Sequence, residues 1–187
     1  MFVFIFGGSA SGKSEYAEKR AAELAASEGS RLIYLAAMKP FGEEAQRRIA
    51  RHRRMRSGRG FITVERYTDL AGLARQQAPL LQGSCLLLEC MSNLTANELF
   101  DEEGAGADAA GAILDGISCL RSICSSLIVV SLDVFGGGRR YDAGTDSFIS
   151  TLGEVNRTLA RQADEAVEVV YSLPVFLKRK ESDGWRH

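Results

Sequence analysis

Two short stretches of this 187-residue chain contain residues whose types and spacing could act on phosphates. The first, GGSASGKS, runs from residue 7 to residue 14 and fits the pattern G-x-x-x-x-G-K-[ST]. The second, RRIARHRRMRSGRG, runs from residue 47 to residue 60 and places seven arginines around His52. Because clustered arginines bind phosphates of any origin, this second stretch is compatible with a nucleic-acid patch or with a catalytic histidine in a phosphate pocket.

The glycine-rich stretch has the sequence and the setting of a P-loop, a backbone loop that surrounds nucleotide phosphates. It follows an apolar run, FVFIF (residues 2–6), and precedes a helical segment. In a P-loop the backbone N–H groups and the helix N-terminus bind phosphate, the lysine reaches the outer phosphates and the Ser/Thr hydroxyl ligates Mg²⁺. We therefore expect a catalytic role for Lys13 and a metal ligand in Ser14. The residues expected to contact nucleotide phosphates are Gly7, Gly8, Ser9, Ala10, Ser11, Gly12, Lys13 and Ser14.

A P-loop also needs an acidic side chain at the end of another strand to order the metal ion. Glu89 ends the apolar run LLLE, and Asp133 follows the run LIVVSL. Ligands of open α/β sheets bind at the carboxyl ends of the strands, where both side chains would lie. The sequence does not decide between these two carboxylates, and either could instead be a helix cap or a surface acid.

The arginine-rich stretch is predicted to form a helix over residues 43–56, since Pro40 and glycines bracket it. On that helix Arg48, His52 and Arg56 share a face at i, i+4 spacing. Nearby cations disfavour protonation, so we expect the imidazole of His52 to be uncharged and nucleophilic. The same arginines could bind a triphosphate and stabilise charge during attack on phosphorus. The alternative is a solvated basic helix with an incidental histidine.

The elements that must position these residues form an alternating pattern of apolar runs and helix-length segments. Continuous apolar runs of this kind indicate strands buried on both faces of a parallel sheet, with helices on both sides. A final stretch, SLPVFLKRK, predicts an antiparallel edge strand, where Pro174 is tolerated. The glycine-rich stretches 102–112 and 135–146 are predicted to be loops, and residues 1–187 a single domain. The predicted strands are residues 2–6, 32–37, 61–67, 85–90, 127–132 and 166–171.

Composition restricts the function further. A formal net charge of −1 and a pI near 6.2 argue against a general nucleic-acid-binding protein. The clustered arginines are therefore expected to act at one local site. The sequence contains no apolar run close to the ~18 residues that span a bilayer, and it shows no signal peptide, which predicts a cytoplasmic protein. The four cysteines form two C-x4-C pairs that match no common zinc pattern, and we interpret them as buried thiols.

Five segments in order resemble one enzyme family across nearly the whole chain: GGSASGKSEYAE, IYLAA, RIARHRRMRSGRGFITVE, LLLECMSNLTANELF and GEVNRTLARQADEAVEVV. They resemble the bifunctional adenosylcobinamide kinase/adenosylcobinamide-phosphate guanylyltransferase family of cobalamin biosynthesis. The P-loop is widely shared, but R-I-x-x-H, then T-x-E, then L-L-x-E-C with a nearby Asn is specific to this family. The resemblance implies a RecA-like P-loop fold, a homotrimer, ATP, GTP and Mg²⁺ as cofactors, and a small corrinoid substrate without a nucleic-acid partner.

The resemblance also implies individual roles. His52 occupies the position that is guanylylated during catalysis. Positions implied to contact the nucleotide are Ala36, Ala37, Met38, Arg53, Arg54, Met55, Arg56, Glu65 and Glu89. The chain departs from the family where Thr is common and Ala37 stands here, and where Asn-Glu-Val is common and Leu132-Asp133-Val134 stands here.

Three other functions share parts of this pattern. A small-molecule kinase could use the arginine helix as a lid, and it would transfer phosphate without forming a GTP-dependent protein adduct. A RecA-like nucleic-acid-binding NTPase would bind single-stranded DNA in a salt-sensitive way. A nucleotide sensor would bind GTP without turnover.

Overall fold

The computed structural model describes residues 1–56, 58–133 and 142–179, apart from seven side chains of the arginine-rich helix. These undescribed side chains are those of Glu44, Ala45, Arg48, Arg51, His52, Arg53 and Met55. The strands are β1 Phe2–Phe6, β2 Leu32–Ala36, β3 Ile62–Glu65, β4 Cys85–Glu89, β5 Ser126–Val130, β6 Glu165–Val170 and β7 Leu173–Lys178. The helices are α1 Lys13–Glu28, α2 Gly42–Arg56, α3 Leu70–Gln76, α4 Ala78–Leu81, α5 Met91–Phe100, α6 Ala109–Ile123 and α7 Ala143–Gln162.

The seven strands form one sheet in the order β3-β2-β4-β5-β1-β6-β7. All neighbouring pairs are parallel except β6 and β7, which are antiparallel. The predicted mostly parallel α/β sheet, with its antiparallel edge strand, is confirmed. Because parallel strands end at the same edge, the segments that follow β1, β2, β4 and β5 meet there.

Two apolar layers cover the sheet, one on each face. On one face α1 contributes Ala17, Ala21 and Leu24 to a layer with Val3 and Ile5 of β1. The opposite face packs against α3, α5, α6 and α7. Side chains alternate along a strand, so the apolar run FVFIF supplies both layers, and this is why it contains no polar residue.

Two predictions need correction. The stretch 102–112 is not entirely loop, because a short 3₁₀ turn spans Gly106–Asp108 and α6 begins at Ala109. In the stretch 135–146, helix α7 begins at Ala143, and Asp142 caps it by accepting hydrogen bonds from the N–H groups of Gly144 and Thr145. Residues 134–141, including Val134, lie outside the described residues. The glycines of the stretch 102–112 favour loop, but its alanines favour helix and form the start of α6.

The cysteines are only partly the buried thiols that were predicted. Cys85 is buried, whereas Cys90, Cys119 and Cys124 are half-buried, and all four are free thiols. Among the described residues, no helix is both long enough and apolar enough to cross a membrane.

Candidate active site

The P-loop joins β1 to α1 and ends at Gly12, where the backbone has a left-handed φ of 91°. Gly12 has no side chain that could cap the helix, so capping does not occupy the N–H groups of the first turn. Uncapped N–H groups at a helix start are suited to bind an anion. The Lys13 Nζ donates a hydrogen bond to the carbonyl oxygen of Gly8 at 2.9 Å, which holds the ammonium over the loop.

The turn between β6 and β7 supports the P-loop from the side. Tyr171 and Ser172 both have positive φ, which is typical of a tight hairpin turn. The Ser172 N–H donates to the carbonyl oxygen of Ser11 at 2.8 Å. A Cβ atom at Gly12 would collide with the Ser172 side chain, so the turn requires glycine at this position of the loop.

Glu89 lies at the end of β4 and contacts the first turn of α1. Its Oε1 accepts a hydrogen bond from the Ser14 hydroxyl, and its Oε2 accepts one from the Tyr34 hydroxyl at 3.2 Å. Strand β5 separates β4 from β1, but α1 packs against β4 and so brings Ser14 to Glu89. A hydroxyl and a carboxylate side by side are the oxygen donors that Mg²⁺ prefers.

Asp133, the other candidate carboxylate, follows β5 and is also placed beside the P-loop. Its backbone N–H donates to the carbonyl oxygen of Gly7 at 3.2 Å, and its side chain is exposed. The preceding residue, Leu132, accepts a hydrogen bond at its carbonyl from the Asn156 amide. Both predicted carboxylates therefore reach the same edge of the sheet, and Glu89 is the one that accepts the hydrogen bond from the Ser14 hydroxyl.

The C-terminal end of helix α2 lies on this same network. The guanidinium carbon of Arg56 is 3.3 Å from the ring centroid of Tyr34, and Arg56 is 93% buried, so the contact is a desolvated cation–π interaction. Three residues further on, Arg59 Nη1 lies 3.2 Å from Glu18 Oε2 on α1. A chain of contacts thus leads from Ser14 through Glu89 and Tyr34 to Arg56.

Glu18 is a fully buried carboxyl group one turn after Ser14. Burial raises its pKa to about 7, and the negative charge of Glu89 acts in the same direction, while Arg59 and Arg56 oppose the shift. Its Oε1 has no hydrogen-bond partner among the described residues. Burial likewise raises the pKa of Tyr34, so its phenol stays protonated and can donate to Glu89.

A cleft of about 500 Å³ lies between α2 and the end of β3. Arg54 from the helix and Glu65 from the strand line it, together with Ile49 and Tyr67. The Tyr67 hydroxyl donates to Glu65 Oε2 at 3.0 Å. The two predicted nucleotide contacts Arg54 and Glu65 therefore share one cleft, which contains both a cationic and an anionic group.

The other predicted site residues lie close to these features or outside the described part. Ala36 ends β2, Ala37 is buried, and Met38 is half-buried. The Ala37 N–H donates to the carbonyl oxygen of Glu89 at 3.1 Å, which ties the segment to the carboxylate. His52 lies within α2, but its side chain and those of Arg53 and Met55 are outside the described residues.

Sequence reasoning missed Tyr34 and Glu18. Tyr34 is one residue of an apolar strand run, and nothing in the run shows that its hydroxyl meets a carboxylate. Glu18 carried a usable signal, because it is four residues after Ser14 and so lies on the same face of α1.

A strand, a P-loop and a helix, with a carboxylate two strands away, define a P-loop nucleotide-binding protein of the RecA-like class. Solved structures agree with that fold: the ATPase domain of G40P has a TM-score of 0.57 at 13% identity, covering 96% of this chain and 77% of its own. The KaiC-like protein PH0186 from Pyrococcus horikoshii has a TM-score of 0.56 at 11% identity, covering 100% and 83%. Within this class, the chain belongs to the cobinamide kinase / cobinamide phosphate guanyltransferase family (CobU), which it matches over residues 3–177.

Curated relatives carry the same identification. The bifunctional adenosylcobalamin biosynthesis protein CobP of Pseudomonas aeruginosa is 29% identical over 174 residues, which are 93% of this chain and 95% of the relative. The bifunctional adenosylcobalamin biosynthesis protein CobU of Escherichia coli is 29% identical over 189 residues, covering 95% and 100%. The predicted family, and with it the prediction of an enzyme, is confirmed, and the kinase without guanylyltransferase activity is not favoured.

Proposed function

We propose that this chain phosphorylates adenosylcobinamide with ATP or GTP and then transfers GMP from GTP to adenosylcobinamide phosphate through a guanylyl-His52 intermediate, giving adenosylcobinamide-GDP. The observation that carries the proposal is the chain of contacts Ser14–Glu89–Tyr34–Arg56. It connects the P-loop with the helix that contains His52, so phosphoryl and guanylyl chemistry share one edge of the sheet. Family membership supports both activities.

In the phosphorylation step, the hydroxyl oxygen of the aminopropanol arm attacks the γ-phosphorus. The bond from that phosphorus to the bridging oxygen breaks, the nucleoside diphosphate leaves, and the hydroxyl proton is released. The backbone of residues 7–12 and the Lys13 ammonium hold the phosphates and neutralise their charge, and positioning supplies most of the catalysis. Ser14 and Glu89 fit a Mg²⁺ ion, which would neutralise charge between the outer phosphates when bound.

In the guanylyl step, an imidazole nitrogen of His52 attacks the α-phosphorus of GTP. The bond to the β-phosphate oxygen breaks and pyrophosphate leaves. A phosphate oxygen of adenosylcobinamide phosphate then attacks the same phosphorus, the P–N bond breaks and His52 is regenerated. Two displacements replace one difficult reaction. The cleft with Arg54 and Glu65 offers a cation for phosphate oxygens and an acceptor for donor groups of a purine base.

We further propose a cytoplasmic homotrimer that binds no nucleic acid. The proposed use of ATP and GTP supports the cytoplasmic location. Support for subunit contacts comes from β7, an edge strand whose Leu173, Val175 and Leu177 side chains are exposed. Sedimentation equilibrium measures the trimer directly, and a monomer at micromolar concentration would contradict it.

Incubation with α-labelled GTP and Mg²⁺ tests the central step. We expect one GMP per chain on the peptide that contains His52, found by mass spectrometry. The adduct should survive alkali and hydrolyse in acid, as a phosphoramidate does and a serine ester does not. Label on another residue would assign the nucleophile elsewhere.

A further inference from the structure

The buried carboxylate of Glu18 is not explained by the reaction steps above. It lies in the helix that begins at the P-loop, and Arg59, which pairs with it, lies three residues beyond α2. Arg59 is 40% exposed at its side chain, whereas Glu18 is fully buried, so the arginine reaches inward to the carboxylate. The pair spans 41 residues of sequence and joins α1 to the exit of α2.

The same end of α2 has a second long-range contact. Arg56 stacks on Tyr34, and its Nη1 is buried without a hydrogen-bond partner among the described residues. The stack holds the guanidinium over one face of the Tyr34 ring but supplies no hydrogen bond to Nη1. Arg59, in the turn that follows α2, donates a hydrogen bond to Glu18 and so adds a directional restraint three residues beyond Arg56.

We propose that Glu18 is a positioning residue, which through Arg59 fixes the C-terminal end of helix α2 against the P-loop helix for guanylyl transfer. This role rests on the proposed function, in which α2 carries the nucleophile. Glu18 does not touch the reacting atoms. It sets the distance between α1, where Lys13 binds the phosphates, and α2, which carries the attacking imidazole of His52.

The energetics favour a positioning role over a stabilising one. Glu18 is buried near a second carboxylate, Glu89, which is an unfavourable place for a charge. Buried ion pairs contribute little to the free energy of unfolding, because desolvation offsets the attraction between the charges. Glu18→Gln removes the buried charge and leaves only Arg59, which is partly exposed to water, so this variant should fold well and the loss should appear in the geometry of the site.

The test compares Glu18→Gln, Arg59→Gln, the double variant and the matched control Arg47→Ala. Arg47 lies on α2 and forms an exposed ion pair with Glu43. We measure the rate of GMP adduct formation from GTP, the rate of ATP-dependent phosphorylation of adenosylcobinamide, and Tm. Misplacement of a reacting group by about 1 Å costs about 100-fold in rate. We therefore expect each single variant to lose roughly 10- to 100-fold in adduct formation, at least ten times the loss in phosphorylation.

The double variant should lose no more than either single variant, since Glu18 acts through Arg59. The Arg47→Ala control should retain both rates. Additive losses, or equal losses in both activities with a lower Tm, would show a merely structural role and overturn the proposal. If either single variant fails to fold, the other decides alone. An adduct at the normal rate in both single variants removes this role while leaving the proposed function intact, whereas no adduct in the unsubstituted chain overturns both.

Discussion

The P-loop and the C-terminal end of helix α2 converge on one site but are held in place in different ways. Within the P-loop most bonds are local: Ser11 to Gly8, Lys13 to Gly8, and Tyr16 to Gly12. The end of α2 is held by residues far away in sequence, Tyr34 for Arg56 and Glu18 for Arg59. The P-loop is therefore defined by a short motif, whereas the position of α2, which contains the proposed nucleophile His52, depends on the assembled tertiary structure.

Substitution of Lys13 by Ala should have the largest effect, because it removes the phosphate-binding ammonium of the P-loop. The ammonium neutralises the outer phosphates, so both activities should fall by about 1000-fold or more. Steady-state rates with ATP and with GTP measure this. Lys19→Ala, an exposed lysine on the same helix, is the matched control and should keep its activity. Near-normal turnover in Lys13→Ala would exclude the P-loop from the mechanism.

His52→Ala tests the other region, helix α2, by removing its proposed nucleophile. We expect no GMP adduct and no guanylyl transfer, while phosphorylation stays within about threefold, because displacement at the γ-phosphorus needs no protein nucleophile. His187→Ala controls for the other histidine of the chain. Label that persists in the His52→Ala protein would assign the adduct to another residue.

Glu89→Gln and Asp133→Asn test which of the two carboxylates beside the P-loop serves the metal ion. Glu89 contacts Ser14, so its replacement should lower phosphorylation on the order of 100-fold and raise the Mg²⁺ concentration that gives half-maximal rate. Asp133→Asn should reduce the same rate by less than about tenfold. A larger effect at Asp133 would reverse the assignment.

The smallest expected effect is on stability. Because the pKa of Glu18 is raised to about 7 in the folded chain, the folded state binds this proton more tightly than the unfolded state. The free energy of unfolding of the unsubstituted chain should therefore fall as pH rises from about 4.5 to about 7, and Glu18→Gln should lack this contribution. The stability of the variant relative to the unsubstituted chain should rise by on the order of 1–3 kcal/mol over that interval. Urea unfolding at pH 5 and pH 8 measures the difference, and a constant difference would contradict the raised pKa.

The same contrast explains how much of the molecule could be predicted. Apolar runs predicted central strands such as β4 and β5 because burial on both faces leaves little room for polar residues, and the P-loop motif predicted the phosphate site. The position of Arg56 could not be predicted in this way. The resemblance implies a nucleotide contact for Arg56, and nothing in the sequence indicates that its guanidinium lies buried against the ring of Tyr34. That contact depends on which strand lies beneath the helix, and sheet order is not encoded locally.

Strand order also determines when, during translation, the P-loop gains its tertiary contacts. β1 precedes the other described strands along the chain, yet its neighbours in the sheet are β5 and β6, and the hairpin turn at Ser172 supports the loop at Ser11. During translation, the nascent P-loop therefore lacks its supporting residues until more than 170 residues have been made. We expect nucleotide to bind late in synthesis, after the last hairpin has closed, so ATP or GTP would assist the final folding step and not the early ones.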